Sequence, residues 1–129
     1  MPHMTESLED YLEMVSFLAD EGDVRITDIA ARLKVSKPSV HTALKILEER
    51  ELLEHKRYRT VSLTKKGTLE ASEIRKRHNF LTVFLEKVVG VERKTAEKDA
   101  CKMEHILSAE TLKKMKLLAQ SSSAKSKAD

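Results

Sequence analysis

The sequence predicts a mainly α-helical fold that contains one short β hairpin. Three Gly and two Pro interrupt its 129 residues, so long loops and frequent turns are excluded. Over most of the chain apolar side chains recur every three or four positions, which is the spacing of one buried helix face. A single segment, residues 53–63, alternates with the period of a strand instead. A chain of this length forms one small protein or two miniature domains, and it is too short for a (β/α)₈ barrel or a full dinucleotide-binding enzyme.

Three helices are predicted at the start of the chain. The first covers residues 5–19, ends before Gly22 and repeats apolar side chains at helical spacing. A short second helix covers residues 28–34, and a third begins after the capping residue Ser36 and runs to about Arg50. Two helices of this size joined by a tight turn form a helix-turn-helix.

A two-stranded hairpin is predicted after the third helix. Residues 53–56 and 60–63 have the pattern of strands, and the polar residues 57–59 form the turn between them. A helix-turn-helix followed by such a hairpin, or wing, is a winged helix-turn-helix, which predicts a DNA-binding domain over residues 1–64. In that fold the last helix of the motif can enter the major groove while the wing lies beside the phosphates.

Three more helices are predicted in the second half of the chain. They cover residues 65–89, 92–107 and 109–120. Their apolar stripes are too small to form a core alone, so packing against a second copy is expected, and residues 65–120 are predicted to form a helical dimerisation domain. The small, polar residues 121–129 are predicted to be disordered.

The charge is unevenly distributed along the chain. Residues 1–23 hold seven Asp and Glu and no Lys or Arg, whereas residues 24–79 have a net charge of +7 and residues 80–129 a net charge of +3. A basic winged helix is the electrostatic signature of a protein that binds a polyanion such as double-stranded DNA. Mixed charge of this kind is also common on solvated helix faces, so charge alone does not decide between the two.

Several classes of protein are excluded by what the sequence lacks. One Cys excludes a disulfide scaffold and fits a reducing compartment. The sequence has no apolar run of about 20 residues and no signal-peptide pattern, which predicts a cytoplasmic protein without a membrane partner. It also lacks GxSxG, HExxH and a glycine-rich phosphate loop, so an enzyme is not expected.

Six side chains that can bind a metal occur at helical spacings. Two lie three residues apart on the first helix, a lone His lies on the apolar stripe of the long fourth helix, and three share one face of the fifth helix. These residues are Asp10, Glu13, His78, Cys101, Glu104 and His105. Each group also has an ordinary interpretation. Asp10 and Glu13 could be an acidic pair that the helix dipole favours, and His78 could be a histidine of the core. Cys101 could be a small buried side chain, with Glu104 and His105 as a solvated pair.

Five stretches of the sequence, in order, resemble the metal-dependent repressors related to the diphtheria toxin repressor and the manganese transport regulator. The resemblance covers about residues 5–120. The stretches that carry it are SLEDYLEMVSFL, ITDIAARLKVSKPSVHTALKILEERELL, the wing followed by LTKKG, RKRHNFLTVFLEKVVGV, and ACKMEHIL. It implies a homodimeric repressor of metal homeostasis genes that binds a palindromic operator when its corepressor metal is bound. The sequence shows no third, SH3-like domain.

The resemblance also implies a metal site. In this family an acid or Met on the first helix, a His on the long helix, and a Cys or Glu followed by x-x-Glu-His bind the regulatory ion. Transferred to this sequence, the set is Asp10, Glu13, His78, Cys101, Glu104 and His105. The implied corepressor is Fe(II) or Mn(II), with cobalt, nickel or zinc able to substitute.

Two features depart from the family pattern. Asp10 matches the manganese-responsive branch, whereas Cys101 matches the iron-responsive branch, so the resemblance does not settle the metal. Thr82 stands where relatives often carry Glu, which puts a second, ancillary metal site in doubt unless Glu97 replaces it.

Nine residues are candidates for contacts with DNA. Those at the start of the third helix are placed near bases and phosphates: Ser36, Lys37, Pro38, Ser39, His41 and Thr42. Lys45 and the wing residues Arg57 and Arg59 are expected to contact phosphates. Thr42 and His41 are the residues able to read base edges, so direct readout is expected to be sparse.

Two other classes of function stay open at this point. A winged-helix regulator could respond to an organic ligand and ignore metal, or Cys101 could act as a thiol redox sensor if it is exposed and ionised. A metal-dependent repressor differs from both, because chelation of the metal should abolish its binding to DNA.

Overall fold

The structure, a computed structural model, describes residues 5–56 and 60–128. Its helices are α1 (Glu6–Glu21), α2 (Ile26–Leu33), α3 (Lys37–Glu49), α4 (Lys65–Phe84), α5 (Arg93–Ile106) and α6 (Ala109–Ala128). Its strands are β1 (Val24–Arg25), β2 (Leu53–Lys56) and β3 (Thr60–Leu63). The chain forms two compact units, Met1–Arg75 and Lys76–Asp129. The predicted mainly helical fold is confirmed.

α1 begins and ends close to the predicted positions. The Thr5 side chain caps the helix by accepting a hydrogen bond from the Leu8 N–H at 3.2 Å. At the other end Gly22 closes the helix in a backbone conformation (φ 146°) that favours glycine. The apolar stripe of α1 faces the core, where Leu12 and Val15 are fully buried.

α2, a short turn and α3 form the predicted helix-turn-helix. Lys34 ends α2 in the left-handed conformation (φ 57°). Ser36 then caps α3 by accepting a hydrogen bond from the Ser39 N–H at 3.2 Å. Ile29 of α2 and Leu47 of α3 are fully buried in one core cluster, so this packing fixes which face of α3 is left exposed.

The predicted hairpin is confirmed, but it belongs to a three-stranded sheet. β2 and β3 pair antiparallel with Leu53 opposite Leu63. The third strand, β1, pairs with the other edge of β3 and places Val24 opposite Val61. The prediction of a two-stranded sheet is therefore incomplete, because a strand of two residues is too short for an alternating pattern to show in the sequence.

The first turns of α4 belong to the first unit. Gly67 is buried there, and its N–H donates to the Thr64 hydroxyl at 3.0 Å. Ala71 and Ile74 lie in the core cluster that α1, α2 and α3 share. The first unit therefore extends to Arg75, beyond the boundary at residue 64 that the sequence predicts, because the start of α4 also covers the winged-helix core.

The second unit is built from the end of α4, a π-helical turn (Leu85–Val89), α5 and α6. Gly90 ends the π-helical turn with a left-handed φ of 92°. Leu81 of α4 and Ala96 and Ala100 of α5 are fully buried. These residues form the apolar interior of the unit.

α6 is longer than the sequence predicts. It continues to Ala128, so residues 121–128 are helical where the composition predicts disorder. Ala and Lys are good helix formers, and no Gly or Pro follows Gly90 to stop the helix. None of the helices within residues 5–56 and 60–128 combines the length and the apolar composition of a membrane span.

Candidate nucleic-acid interface and metal centre

One side of α3 is exposed and polar. The predicted DNA contacts of this segment are all exposed: Ser36, Lys37, Pro38, Ser39, His41, Thr42 and Lys45. The other side of the helix is buried through Val40, Ala43, Leu44 and Leu47. The structure therefore presents the predicted recognition residues on an accessible surface, as the second helix of a helix-turn-helix requires.

Hydrogen bonds within α3 orient its hydroxyl groups. The Ser36 and Ser39 hydroxyl oxygens lie 2.8 Å apart, so the capping residue and the next exposed hydroxyl are linked. The Thr42 hydroxyl donates to the Pro38 carbonyl at 3.1 Å. Because its proton is used in this way, the Thr42 oxygen has lone pairs left to accept a hydrogen bond from the amino group of a base.

The wing is described in part. Lys56 at the end of β2 is exposed, whereas the predicted phosphate contacts Arg57 and Arg59 lie outside the described residues. His55 Nε2 of β2 lies 3.3 Å from Glu48 Oε2 of α3. The sequence does not predict this contact between the wing and the recognition helix, because the two residues lie on different elements and share no helical or strand spacing.

A buried carboxylate lies between two imidazoles in the second unit. His78 Nδ1 is 3.0 Å from Glu104 Oε2, and His105 Nε2 is 3.2 Å from Glu104 Oε1. The Glu104 side chain is 0% exposed and that of His105 is 1% exposed. Three of the six predicted metal ligands are thus brought together, one from α4 and two from α5.

The sequence of α5 explains why Glu104 is buried. Ala96, Ala100 and Glu104 follow one another at four-residue spacing, and all three are buried. α5 contacts the π-helical turn, and Glu104 continues the stripe of buried alanines on α5. Burial of a carboxylate is unfavourable unless the group is paired or coordinates a metal, so a Glu on this stripe is a candidate ligand.

Burial lowers the pKa of His78 below its ordinary value of 6.5. The Glu97 carboxylate opposes this shift of the pKa, and the charges of His105 and Arg93 add to it. The shift favours the neutral imidazole, which has the lone pair that a metal ligand needs. Two imidazoles and a carboxylate suit divalent iron, manganese and zinc, so the residues present fit the predicted metal.

The other three predicted ligands lie on α5 and on α1. Cys101 lies on α5 and is exposed. Asp10 is half-buried and Glu13 is buried, and both lie on α1 in the first unit. The assignment of all six residues as ligands of one ion stays a prediction.

The residues considered for an ancillary metal site have other partners. Thr82 is buried, and its hydroxyl donates to the His78 carbonyl at 2.9 Å. Glu97 is exposed and pairs with Arg93, whose Nε lies 3.3 Å from Glu97 Oε1. Sequence reasoning overlooked Arg93, although a position four residues before a Glu on the same helix is the signal for such a pair.

The fold and the site together define a DNA-binding protein of the winged-helix class whose second unit can bind a metal. Residues 3–61 match the N-terminal DNA binding domain of iron dependent repressors, and residues 64–123 match the metal binding and dimerisation domain of the same repressors. The chain therefore belongs to the iron-dependent repressor family of metal-dependent, DNA-binding transcriptional regulators. The resemblance found in the sequence is confirmed.

Individual relatives agree with this assignment. The chain is 43% identical over 124 residues to the transcriptional regulator MntR of Escherichia coli. This match covers 95% of this chain and 79% of that protein. It is 33% identical over 119 residues to an uncharacterized HTH-type transcriptional regulator of Methanocaldococcus jannaschii, covering 91% of this chain and 95% of that protein. Among solved structures, a manganese-dependent transcriptional repressor in complex with manganese is similar with a TM-score of 0.74 and 26% identity over 84% of this chain. The chain spans 50% of that repressor and 55% of the solved manganese regulator SloR.

Proposed function

We propose that this chain acts as a homodimeric repressor that binds palindromic DNA with Mn(II) or Fe(II) as corepressor. The observation that carries the proposal is the buried Glu104 carboxylate between His78 and His105. The match to a metal binding and dimerisation domain supports it, as does the manganese in a solved repressor of similar fold. Such a regulator acts in the cytoplasm and needs no enzymatic activity.

The proposed ligand set is centred on His78, Glu104 and His105. The remaining members, which the family resemblance supports, are Asp10, Glu13 and Cys101. Carboxylates and imidazoles suit manganese and iron, whereas a thiolate favours iron, cobalt or zinc. A bound divalent ion would supply the positive charge that holds these anionic groups together.

The proposed switch acts through the spacing of the recognition helices. In a two-fold dimer, the two copies of α3 must lie about 34–36 Å apart to enter successive major grooves. Metal would select the arrangement that meets this condition. To move the equilibrium from 1:99 to 99:1, metal must bind the competent form about 10⁴-fold more tightly, which corresponds to about 5.5 kcal/mol.

Chelation tests the proposal directly. Duplexes are enriched from a randomised library in the presence of the protein and Mn(II), and binding is then measured anaerobically by mobility shift with EDTA, Mn(II), Fe(II) or Zn(II). We expect retarded complexes with Mn(II) and Fe(II) and their loss with EDTA, because the competent arrangement needs the ion. Binding that is unchanged by EDTA would contradict a corepressor role for metal and favour a regulator that responds to another ligand.

The exposure of Cys101 favours one second candidate function, a thiol redox sensor. The same assay separates the two functions with the Cys101→Ser variant. If Cys101 is a metal ligand, this variant needs more Fe(II) for half-maximal DNA binding than the wild-type protein does. If Cys101 is a redox sensor instead, the variant keeps full activation by metal and loses only its response to peroxide.

A further inference from the structure

An arginine joins two carboxylates in the second unit. Arg93 Nη1 lies 2.9 Å from Glu86 Oε2, and Arg93 Nε lies 3.3 Å from Glu97 Oε1. Glu86 belongs to the π-helical turn, whereas Arg93 and Glu97 lie one turn apart at the start of α5. One guanidinium therefore holds an oxygen of each acidic side chain.

This network lies within electrostatic reach of His78. The charges of both Glu97 and Arg93 act on the His78 imidazole, in opposite directions. Carboxylates such as those of Glu86 and Glu97 are ligands that a divalent metal such as manganese accepts. The second unit thus has a second pair of metal-capable carboxylates, Glu86 and Glu97. Arg93 contacts both of them, and Lys87 Nζ lies 3.8 Å from Glu86 Oε1.

We propose that Arg93 is a built-in cation that keeps divalent metal off Glu86 and Glu97 and confines metal binding to the centre at His78, Glu104 and His105. The inference rests on the proposed function, because it concerns which groups of a metal-binding unit the ion can use. In this interpretation Glu97 is a partner of Arg93 and not an ancillary ligand.

The chemistry of arginine explains how the exclusion works. A guanidinium is charged at every pH that a protein experiences, and its fork of N–H donors matches carboxylate oxygens. A metal ion at Glu86 and Glu97 would have to displace both ion pairs and then share the site with a positive charge tethered to the same helix. Arg93 and Glu97 are both more than half exposed, and exposed ion pairs are weak. The positive charge tethered beside the two carboxylates, and not the strength of the ion pairs, therefore disfavours a metal ion there.

Counting bound Mn(II) tests the inference. Free Mn(II) is measured by electron paramagnetic resonance while it is titrated into the purified wild-type protein and into the variant Arg93→Met, which keeps an unbranched side chain without the charge. We expect the variant to bind one further equivalent of Mn(II) per subunit, more weakly than the first centre does. The double variant Arg93→Met with Glu97→Gln should lose this additional equivalent.

Two controls make the result specific. Lys94→Met removes one positive charge from the adjacent, exposed position of α5 and should leave the number of bound ions unchanged. Glu97→Gln alone should also leave the number of bound ions unchanged, because Glu97 binds no metal in the wild-type protein if it pairs with Arg93.

Two results would overturn the inference. One is an Arg93→Met protein that binds no more Mn(II) than Lys94→Met does, and the other is a Glu97→Gln protein that loses an equivalent relative to wild type. A wild-type protein that binds no Mn(II) would instead contradict manganese as the corepressor in the proposed function. The difference between the Arg93 and Lys94 variants still decides the role of Arg93 in that case.

Discussion

Replacing Glu104 with Gln is expected to remove the activation of DNA binding by metal while the protein stays folded and dimeric. Gln has the same shape without the charge, so the anionic ligand between His78 and His105 is lost. Loss of a residue that only orients a metal ligand lowers metal affinity by about 10- to 100-fold, and loss of the ligand itself should reach at least the upper end of that range. Titration calorimetry with Mn(II) measures the affinity, and the mobility shift measures DNA binding.

The fold of the Glu104→Gln protein should survive because the change removes a buried charge. The Glu104 side chain is 0% exposed, and a neutral amide is easier to bury than a carboxylate. Glu110→Gln is the matched control, since Glu110 is an exposed residue in the first turn of α6 and its loss should leave Mn(II) affinity unchanged. A folded Glu104→Gln protein with wild-type Mn(II) affinity would contradict the assignment. If that variant does not fold, His105→Ala decides the question in the same two assays.

Replacing Gly67 with Ala is expected to destabilise the winged-helix unit by about 3 kcal/mol, the upper end of the usual range for overpacking. A Cβ atom at Gly67 would lie 2.9 Å from the Leu52 carbonyl carbon and closer still to the Leu52 oxygen. These are backbone atoms, so no side-chain rotation can relieve the contact. The loss is a large fraction of the roughly 5–15 kcal/mol by which small proteins are stable, and DNA binding at 37 °C should fall with it.

Urea unfolding of the wild-type and Gly67→Ala proteins measures the change in the free energy of unfolding. Ala is a better helix former than Gly by about 1 kcal/mol, so in open space the same substitution would stabilise α4. The sign of the change therefore tests the close approach of α4 to Leu52. Thr68→Ala, at the next and exposed position, is the control and should change stability by less than about 0.5 kcal/mol. A stabilised Gly67→Ala protein would show that the contact is absent.

Much of the first unit could be predicted because its signals are local. Ser36 and Pro38 mark the start of α3, and the change of period after α3 marks the hairpin. β1 could not be predicted in the same way, since Val24 and Arg25 form a strand only by pairing with β3. The end of the first unit is likewise set by tertiary packing, because the helical spacing of α4 does not show which of its turns cover the winged-helix core.

The metal centre could be predicted in part. Glu104 is conspicuous because it continues the stripe of Ala96 and Ala100 on one face of α5, and the resemblance to metal-dependent repressors supplied the interpretation. The approach of His78 to Glu104 depends on how α4 and α5 pack, which spacing within one helix cannot give. The pairing of Arg93 with Glu86 was also hidden, since Glu86 lies in a π-helical turn and helical periodicity does not reveal such turns.

The proposed function requires that the binding of metal and the binding of DNA strengthen each other, and this coupling can be measured through the affinity for either ligand. If Mn(II) raises the affinity for a duplex by some factor, the duplex must raise the affinity for Mn(II) by the same factor. The direct measurement is Mn(II) affinity, by titration calorimetry, with and without a saturating concentration of the enriched duplex. We expect the duplex to tighten Mn(II) binding by about 100-fold or more, as a population shift of this kind requires. Equal Mn(II) affinities in the two titrations would contradict manganese-dependent repression by this chain.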